Sequence, residues 1–163
     1  MIVWKDVKSY IHKILLWGDV LKISTKGRYG IRALIDLVLN SDQENVTLKT
    51  ISERQNISER YLEQIFSALR KAGIIIGRKG ASGGYVLGKK PEELSISAIL
   101  RALEGETLLI DINNNEANEL ECFINDNLWK GINEKINEYF SSITLKDLAD
   151  KYREAKENII YYI

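Results

Sequence analysis

Two cations and the three glycines Gly80, Gly83 and Gly84 at the head of the stretch RKGASGGYVLG, residues 78–88, have the composition of an anion-binding loop. The apolar runs Ile74-Ile75-Ile76 and Tyr85-Val86-Leu87 flank it, so the glycines stand in a turn between two β-prone segments. A phosphate-cradling enzyme loop requires G-x-x-x-x-G-K-[ST] opening a helix. Neither that pattern nor a following helix is present here. A hairpin suits a nucleic-acid groove better: Gly80, Gly83 and Gly84 permit close backbone approach, and Arg78 and Lys79 supply charge that a narrow minor groove attracts.

A second group of polar side chains lies upstream. In the helical pattern that Ser58 is placed to cap and that runs to Ala72, Tyr61, Leu62, Ile65, Phe66 and Leu69 face inward, and Ser58, Glu59, Arg60, Glu63 and Gln64 are left exposed near its start. Positions near the start of such a helix meet base edges when it enters a major groove. Arg favours guanine, Gln suits adenine and Glu accepts from cytosine. Lys26, Arg28, Arg70 and Lys71 are suited to phosphates, which fix register without reading sequence. Catalytic chemistry is poorly supplied by comparison. His12 is the only histidine, Cys122 is the only cysteine and has no histidine partner, and the carboxylates are scattered, so no enzyme is expected.

The elements that would position these groups are mostly helical. Tyr29, Ile31, Ala33, Leu34, Leu37 and Val38 recur at helical spacing in a first helix from Gly27 to Asn40, with Arg28 and Arg32 on another face. Thr47 is placed to cap a second helix, Leu48 to Gln55, and Asn56-Ile57 forms a tight link to the third. Gly73 stands where a helix end takes a left-handed residue. Two helices joined by a turn and followed by strands at 74–76 and 84–87 form a winged helix-turn-helix. Ser95 caps a further helix from Ile96 to Leu103, ending near Gly105. The polar run 111–119 reads as a poorly ordered loop.

After it, Leu120, Ile124, Leu128, Ile132, Ile136 and Phe140 recur at steps of four in a long helix. Thr144 to Asp147 has the form of a capping box that opens the last helix. An apolar stripe on a helix of about 20 residues has to be covered. An isologous dimer covers it economically, and packing within one chain is the other solution.

The expected fold class is therefore mainly α with a small β-hairpin. Residues 1–20 form an N-terminal extension, 21–104 the winged helix-turn-helix domain, 105–119 a loop, and 120–163 the dimerisation helix with a C-terminal helix and tail. The opening segment reads in two ways. Trp4, Val7, Ile11, Ile14 and Leu15 fall near one helical face, but Gly18-Asp19-Val20-Leu21 also matches a translated ribosome-binding stretch and leucine-type start codon, with Leu21 as the first residue.

Composition agrees with a nucleic-acid partner once the charge is divided by position. The chain has 163 residues and zero formal net charge, yet residues 22–90 carry 13 Lys and Arg against 6 Asp and Glu, whereas residues 91–163 carry 7 against 15. One part attracts a polyanion and the other repels it. No apolar run approaches the ~20 residues of a membrane span. One cysteine and no secretory signal make the cytoplasm the expected compartment, without a membrane partner.

The stretches LKISTKGRYGIRAL, LKTISERQNISERYLEQIFSALRKAGII and RKGASGGYVLG resemble the Rrf-two family of bacterial winged-helix transcription regulators. The likeness runs from residue 21 to about 163. It implies a homodimer on a near-palindromic duplex DNA operator. Ser58, Arg60, Tyr61, Glu63 and Gln64 would lie against the DNA, Lys79 and Gly80 in the minor groove, and Thr25 and Arg28 against the backbone. Cluster-binding members have three cysteines where this chain has Cys122 alone, so the resemblance implies no iron–sulfur cofactor and no metal. The tail SSITLKDLADKYREAKENIIYYI is similar to the branch that represses cysteine and sulfur metabolism genes and is assisted by O-acetylserine sulfhydrylase; Tyr162 and Ile163 would then contact that enzyme. Two alternatives remain at this stage: a redox or nitric-oxide switch at Cys122, and a protein-interaction subunit with vestigial DNA contacts.

Overall fold

A computed structural model of the protein describes residues 23–40, 46–78, 80, 83–105 and 118–160. In chain order these form α1 (Thr25–Leu39), α2 (Leu48–Gln55), α3 (Glu59–Lys71), β1 (Ile75–Arg78), β2 (Gly84–Leu87), a 3₁₀ turn (Pro91–Glu93), α4 (Ile96–Glu104), α5 (Glu119–Ile124), a π-helical segment (Asn125–Trp129), α6 (Lys130–Ser142) and α7 (Leu145–Ile160). Two compact units result, one of Ser24–Glu106 with Lys135–Ile163 and one of Met1–Ile23 with Thr107–Glu134. The expected N-terminal helix, most of the 105–119 loop and the last three residues of the tail lie outside the described residues.

The first unit is built on helix ends that the sequence specifies. Ser24 caps α1 by accepting from the Gly27 N–H, which starts the helix two residues before the expected Gly27. Thr47 and Thr50 exchange hydrogen bonds across the start of α2: the Thr50 N–H donates to Thr47 Oγ1 at 3.2 Å, and the Thr47 N–H to Thr50 Oγ1 at 3.0 Å. Asn56, left-handed at φ 52°, ends that helix. Ser58 stands at the N-cap of α3, but contrary to expectation its hydroxyl makes no cap hydrogen bond.

At the other end of α3, Gly73 has φ 69°, its N–H reaches the Arg70 carbonyl, and the Ile74 N–H reaches back to Leu69 at 3.0 Å. This paired closure is the Schellman motif. It consumes Ile74, so β1 begins at Ile75 rather than at the expected Ile74.

Leu34, Leu37, Ile51, Leu62, Ile65, Phe66, Leu69 and Ile75 are almost fully buried and form a single core with Ile99 of α4 and Leu145 of α7. β1 and β2 pair antiparallel, from Ile75 opposite Leu87 to Arg78 opposite Gly84. The Tyr85 N–H donates to the Val46 carbonyl at 2.8 Å, fixing the hairpin to the residue that precedes the α2 cap. The Ile96 N–H to Ile143 and the Leu145 N–H to Leu94 bring the start of α7 beside the start of α4.

The Thr144–Asp147 box forms as expected, with the Thr144 N–H and hydroxyl both donating to Asp147 Oδ2, at 2.8 and 2.7 Å. The backbone donor first, and the hydroxyl second, hold the Asp147 carboxyl below the usual carboxylate range. A folded-state pKa below the unfolded one stabilises the fold above the ordinary carboxylate pKa and is lost as pH falls through the depressed value. Acid should therefore lower the melting temperature of the wild type more steeply than that of Asp147→Asn below about pH 4. Parallel acid limbs in thermal melts of the two proteins would show that the box contributes no pH dependence.

In the second unit, described from residue 118, the Asn118 side chain caps α5 through the Glu121 N–H at 2.9 Å. The single long helix expected from Leu120 onward is interrupted by the π-helical turn at Asn125–Trp129. On a regular α-helix four residues advance about 40° past a full turn, so a stripe repeating every fourth residue winds around the axis. A turn that closes i→i+5 takes up that excess. Leu120, Phe123, Ile124 and Leu128 are exposed, whereas Asn125 and Asn133 are buried.

Candidate nucleic-acid interface

The amphipathic character of α3 determines which of its groups are available for recognition. Leu62, Ile65, Phe66 and Leu69 anchor it in the core, leaving Glu59, Arg60, Glu63 and Gln64 exposed over its first two turns. Residues three and four apart on a helix are surface neighbours, so these four make one continuous polar patch, with Ser58 exposed at its start. Tyr61 is half-buried at the edge of the patch. Its ring meets that of Tyr29 edge-on at 5.8 Å and 89°, and the Arg32 guanidinium lies over Tyr29 at 5.4 Å. This stack joins α3 to α1.

At the start of α1, Thr25 and Arg28 are both exposed, and Arg28 Nη2 donates to Thr25 Oγ1 at 3.4 Å. Lys26 does not present its charge beside them. Its Nζ donates to the Leu103 carbonyl at 2.7 Å in a part-buried contact, which ties it to the end of α4. Arg70 and Lys71, at the far end of α3, are exposed.

The hairpin is held to α3 by the Phe66 and Tyr85 rings, whose centroids are 4.8 Å apart at 75°. Its turn contains Gly80 at φ 109°, whose carbonyl accepts from the Gly83 N–H at 2.9 Å, and Arg78 is exposed at the end of β1. Lys79 lies outside the described residues, as do Tyr162 and Ile163.

A buried carboxylate whose partners the sequence did not point to ties α1 to the end of α2. Asp36 is 3% exposed, and its oxygens accept from Arg54 Nε at 3.0 and 3.1 Å, Arg54 Nη2 at 2.7 Å and Gln55 Nε2 at 2.8 Å. Arg32 Nη2 donates to the Gln55 carbonyl at 2.6 Å, at the turn that leads into α3. The available signal was a lone carboxylate in the apolar run ALIDLVL, an unfavourable burial unless it is paired.

Cys122 is half-buried on α5. Among the described residues no three His, Cys, Asp or Glu side chains are grouped as metal ligands.

A three-helix core, a wing pinned to its third helix and exposed polar side chains at the start of that helix form a DNA-binding architecture. The family model for Rrf2, an iron-dependent transcriptional regulator, matches residues 23–151. The chain belongs to the Rrf2 family. CymR of Bacillus subtilis strain 168 is 38% identical over 143 residues, covering 88% of this chain and 100% of that protein. IscR of Serratia proteamaculans strain 568 is 35% identical over 131 residues, 80% of each. Among solved structures, CymR (YrzC), the global cysteine regulator of B. subtilis, matches with a TM-score of 0.70 and 40% identity over 80% of this chain and 98% of its own. T. potens IscR matches with 0.68 and 38% over 83% and 90%.

This Rrf2 protein is a DNA-binding transcriptional regulator, mainly helical with one β-hairpin, and its relatives are regulators rather than enzymes. Its donor set does not fit an iron–sulfur cluster held by one chain. Such clusters take about four ligands, mostly thiolates, and the sequence has one cysteine and one histidine.

Proposed function

We propose that the chain is a cytoplasmic, homodimeric repressor of cysteine or sulfur metabolism genes that works without an iron–sulfur cluster. The observation that carries the DNA-reading part is the exposed run Ser58, Glu59, Arg60, Glu63 and Gln64 on a helix whose other face is locked in the core. Base edges are read by Arg60, Glu63 and Gln64, with Ser58 and Tyr61 beside them. Gly80 and Lys79 enter the minor groove, and Thr25 and Arg28 hold the backbone. Ser58 suits this role because its hydroxyl is not spent on capping.

A dimer is supported by Leu120, Phe123, Ile124 and Leu128, large apolar side chains left exposed along one helical segment, which a second copy would cover. Two such recognition helices on a symmetric pair require a near-palindromic operator. The choice of target rests on likeness to CymR, together with a donor set too small for a cluster.

Arg60→Ala should weaken binding to a selected operator duplex by about 1 to 3 kcal/mol while leaving random-sequence binding nearly unchanged. Titrations at several salt concentrations check this. Equal loss on both duplexes would make Arg60 a phosphate contact and remove it from the reading set. For the wild type, affinity should fall steeply and log-linearly with salt as counterions are released.

The tail carries the remaining part of the reading. Residues 161–163 bind O-acetylserine sulfhydrylase through Tyr162 and Ile163, so deleting the last four residues should abolish co-purification with that enzyme. Undiminished co-purification would exclude the tail from the contact.

A further inference from the structure

The contact between Ser24 and Glu104 joins residues 80 positions apart, and it sits directly behind the α1 turn that carries Thr25 and Arg28. Glu104 Oε1 accepts twice from Ser24, from its N–H at 3.0 Å and from its hydroxyl at 2.7 Å. The same hydroxyl accepts from the Gly27 N–H at 3.2 Å to cap the helix. One carboxylate oxygen therefore fixes both the backbone and the side chain of the capping residue. A negative charge close to the first turn also interacts favourably with the helix dipole.

The fit is close. A Cβ on Gly27 would come within 2.1 Å of Glu104 Oε1, so residue 27 must lack a side chain for the carboxylate to reach Ser24. One residue earlier in α4, the Leu103 carbonyl accepts from Lys26. The first turn of α1 is thus held from two sides by the last residues of α4, while Thr25 and Arg28 remain exposed.

We infer that Glu104 is a positioning residue for DNA binding: through Ser24 it fixes the first turn of α1 so that Thr25 and Arg28 meet the phosphate backbone together. This rests on the reading of Thr25 and Arg28 as backbone contacts. The inference has a sign that simple electrostatics lacks. A carboxylate near a polyanion repels it, so if charge alone mattered, removing Glu104 would tighten binding. If position matters, truncation loosens binding in spite of the lost repulsion. Glu104→Gln separates the two, because it removes the charge and keeps an oxygen that accepts from Ser24.

The test is a double-mutant cycle on the full chain, using a duplex that the wild type selects from a random-sequence pool, with each variant first shown by thermal melting to be folded at the assay temperature. Glu104→Ala should raise Kd about tenfold and Glu104→Gln should stay within about twofold of wild type. In a Thr25→Ala/Arg28→Ala background the Glu104→Ala effect should disappear, since coupled residues are non-additive. Tighter binding by Glu104→Ala, or a full additive loss in the double background, would overturn the inference and leave the α1 contacts standing. If Thr25→Ala/Arg28→Ala itself binds like wild type, the backbone-contact reading fails, and the inference fails with it.

Discussion

Phe66→Ala should lower the unfolding free energy of the DNA-binding unit by about 3 to 5 kcal/mol, the range for truncating a buried phenylalanine. The ring is 1% exposed and is the largest of the fully buried side chains among the described residues. It also meets Tyr85 edge-on at 4.8 Å, a geometry that adds about 0.5 to 1.5 kcal/mol beyond area burial. Since whole domains are stable by only about 5 to 15 kcal/mol, the variant should sit near its unfolding threshold at physiological temperature. The pair joins the recognition helix to the hairpin, so operator affinity should fall even where the variant is still folded. Denaturant unfolding followed by circular dichroism measures the first effect and an operator titration in the cold the second. A cost below about 1 kcal/mol would mean that the neighbouring side chains collapse into the space and that Phe66 is not the peg of the core.

Asp36→Ala should be the next most damaging. Removing one partner of a buried ion pair costs about 3 to 5 kcal/mol because the other charge is left stranded. Here the Arg54 side chain remains 32% exposed and can be hydrated after the loss, which puts the expected cost nearer 2 to 3 kcal/mol. Asp36→Asn keeps the volume and one acceptor oxygen for Gln55 Nε2, and should recover about half of that loss. The same denaturant experiment ranks the three proteins. If Asp36→Asn is as unstable as Asp36→Ala, the charge alone carries the contact and the Gln55 bond contributes nothing.

These two sites mark the boundary of what the sequence disclosed. Phe66 was legible because Leu62, Ile65, Phe66 and Leu69 repeat at helical spacing, and Ser58, Arg60, Glu63 and Gln64 follow as the complementary face. The limits of α2 and β2 also match their expected residues, since Thr47, Asn56 and Gly84 are local signals. Asp36 was not legible, because its partners Arg54 and Gln55 come from another helix. The tie of Lys26 was not legible for the same reason: the Leu103 carbonyl that accepts from its Nζ lies 77 residues away. The π turn has a signal in the sequence as well. Apolar residues every fourth position are not the 3.6-residue repeat of a straight helix, and that mismatch was the signal.

The meeting of Ser24 and Glu104 also has a topological meaning. It brings the beginning and the end of an 80-residue excursion of the chain side by side, closing that stretch into a loop whose ends are held by hydrogen bonds. The closure does not make that stretch self-sufficient: Leu145 and Ala149 of α7 are buried in the same core, so the chain that leaves at Gly105 has to come back to complete it.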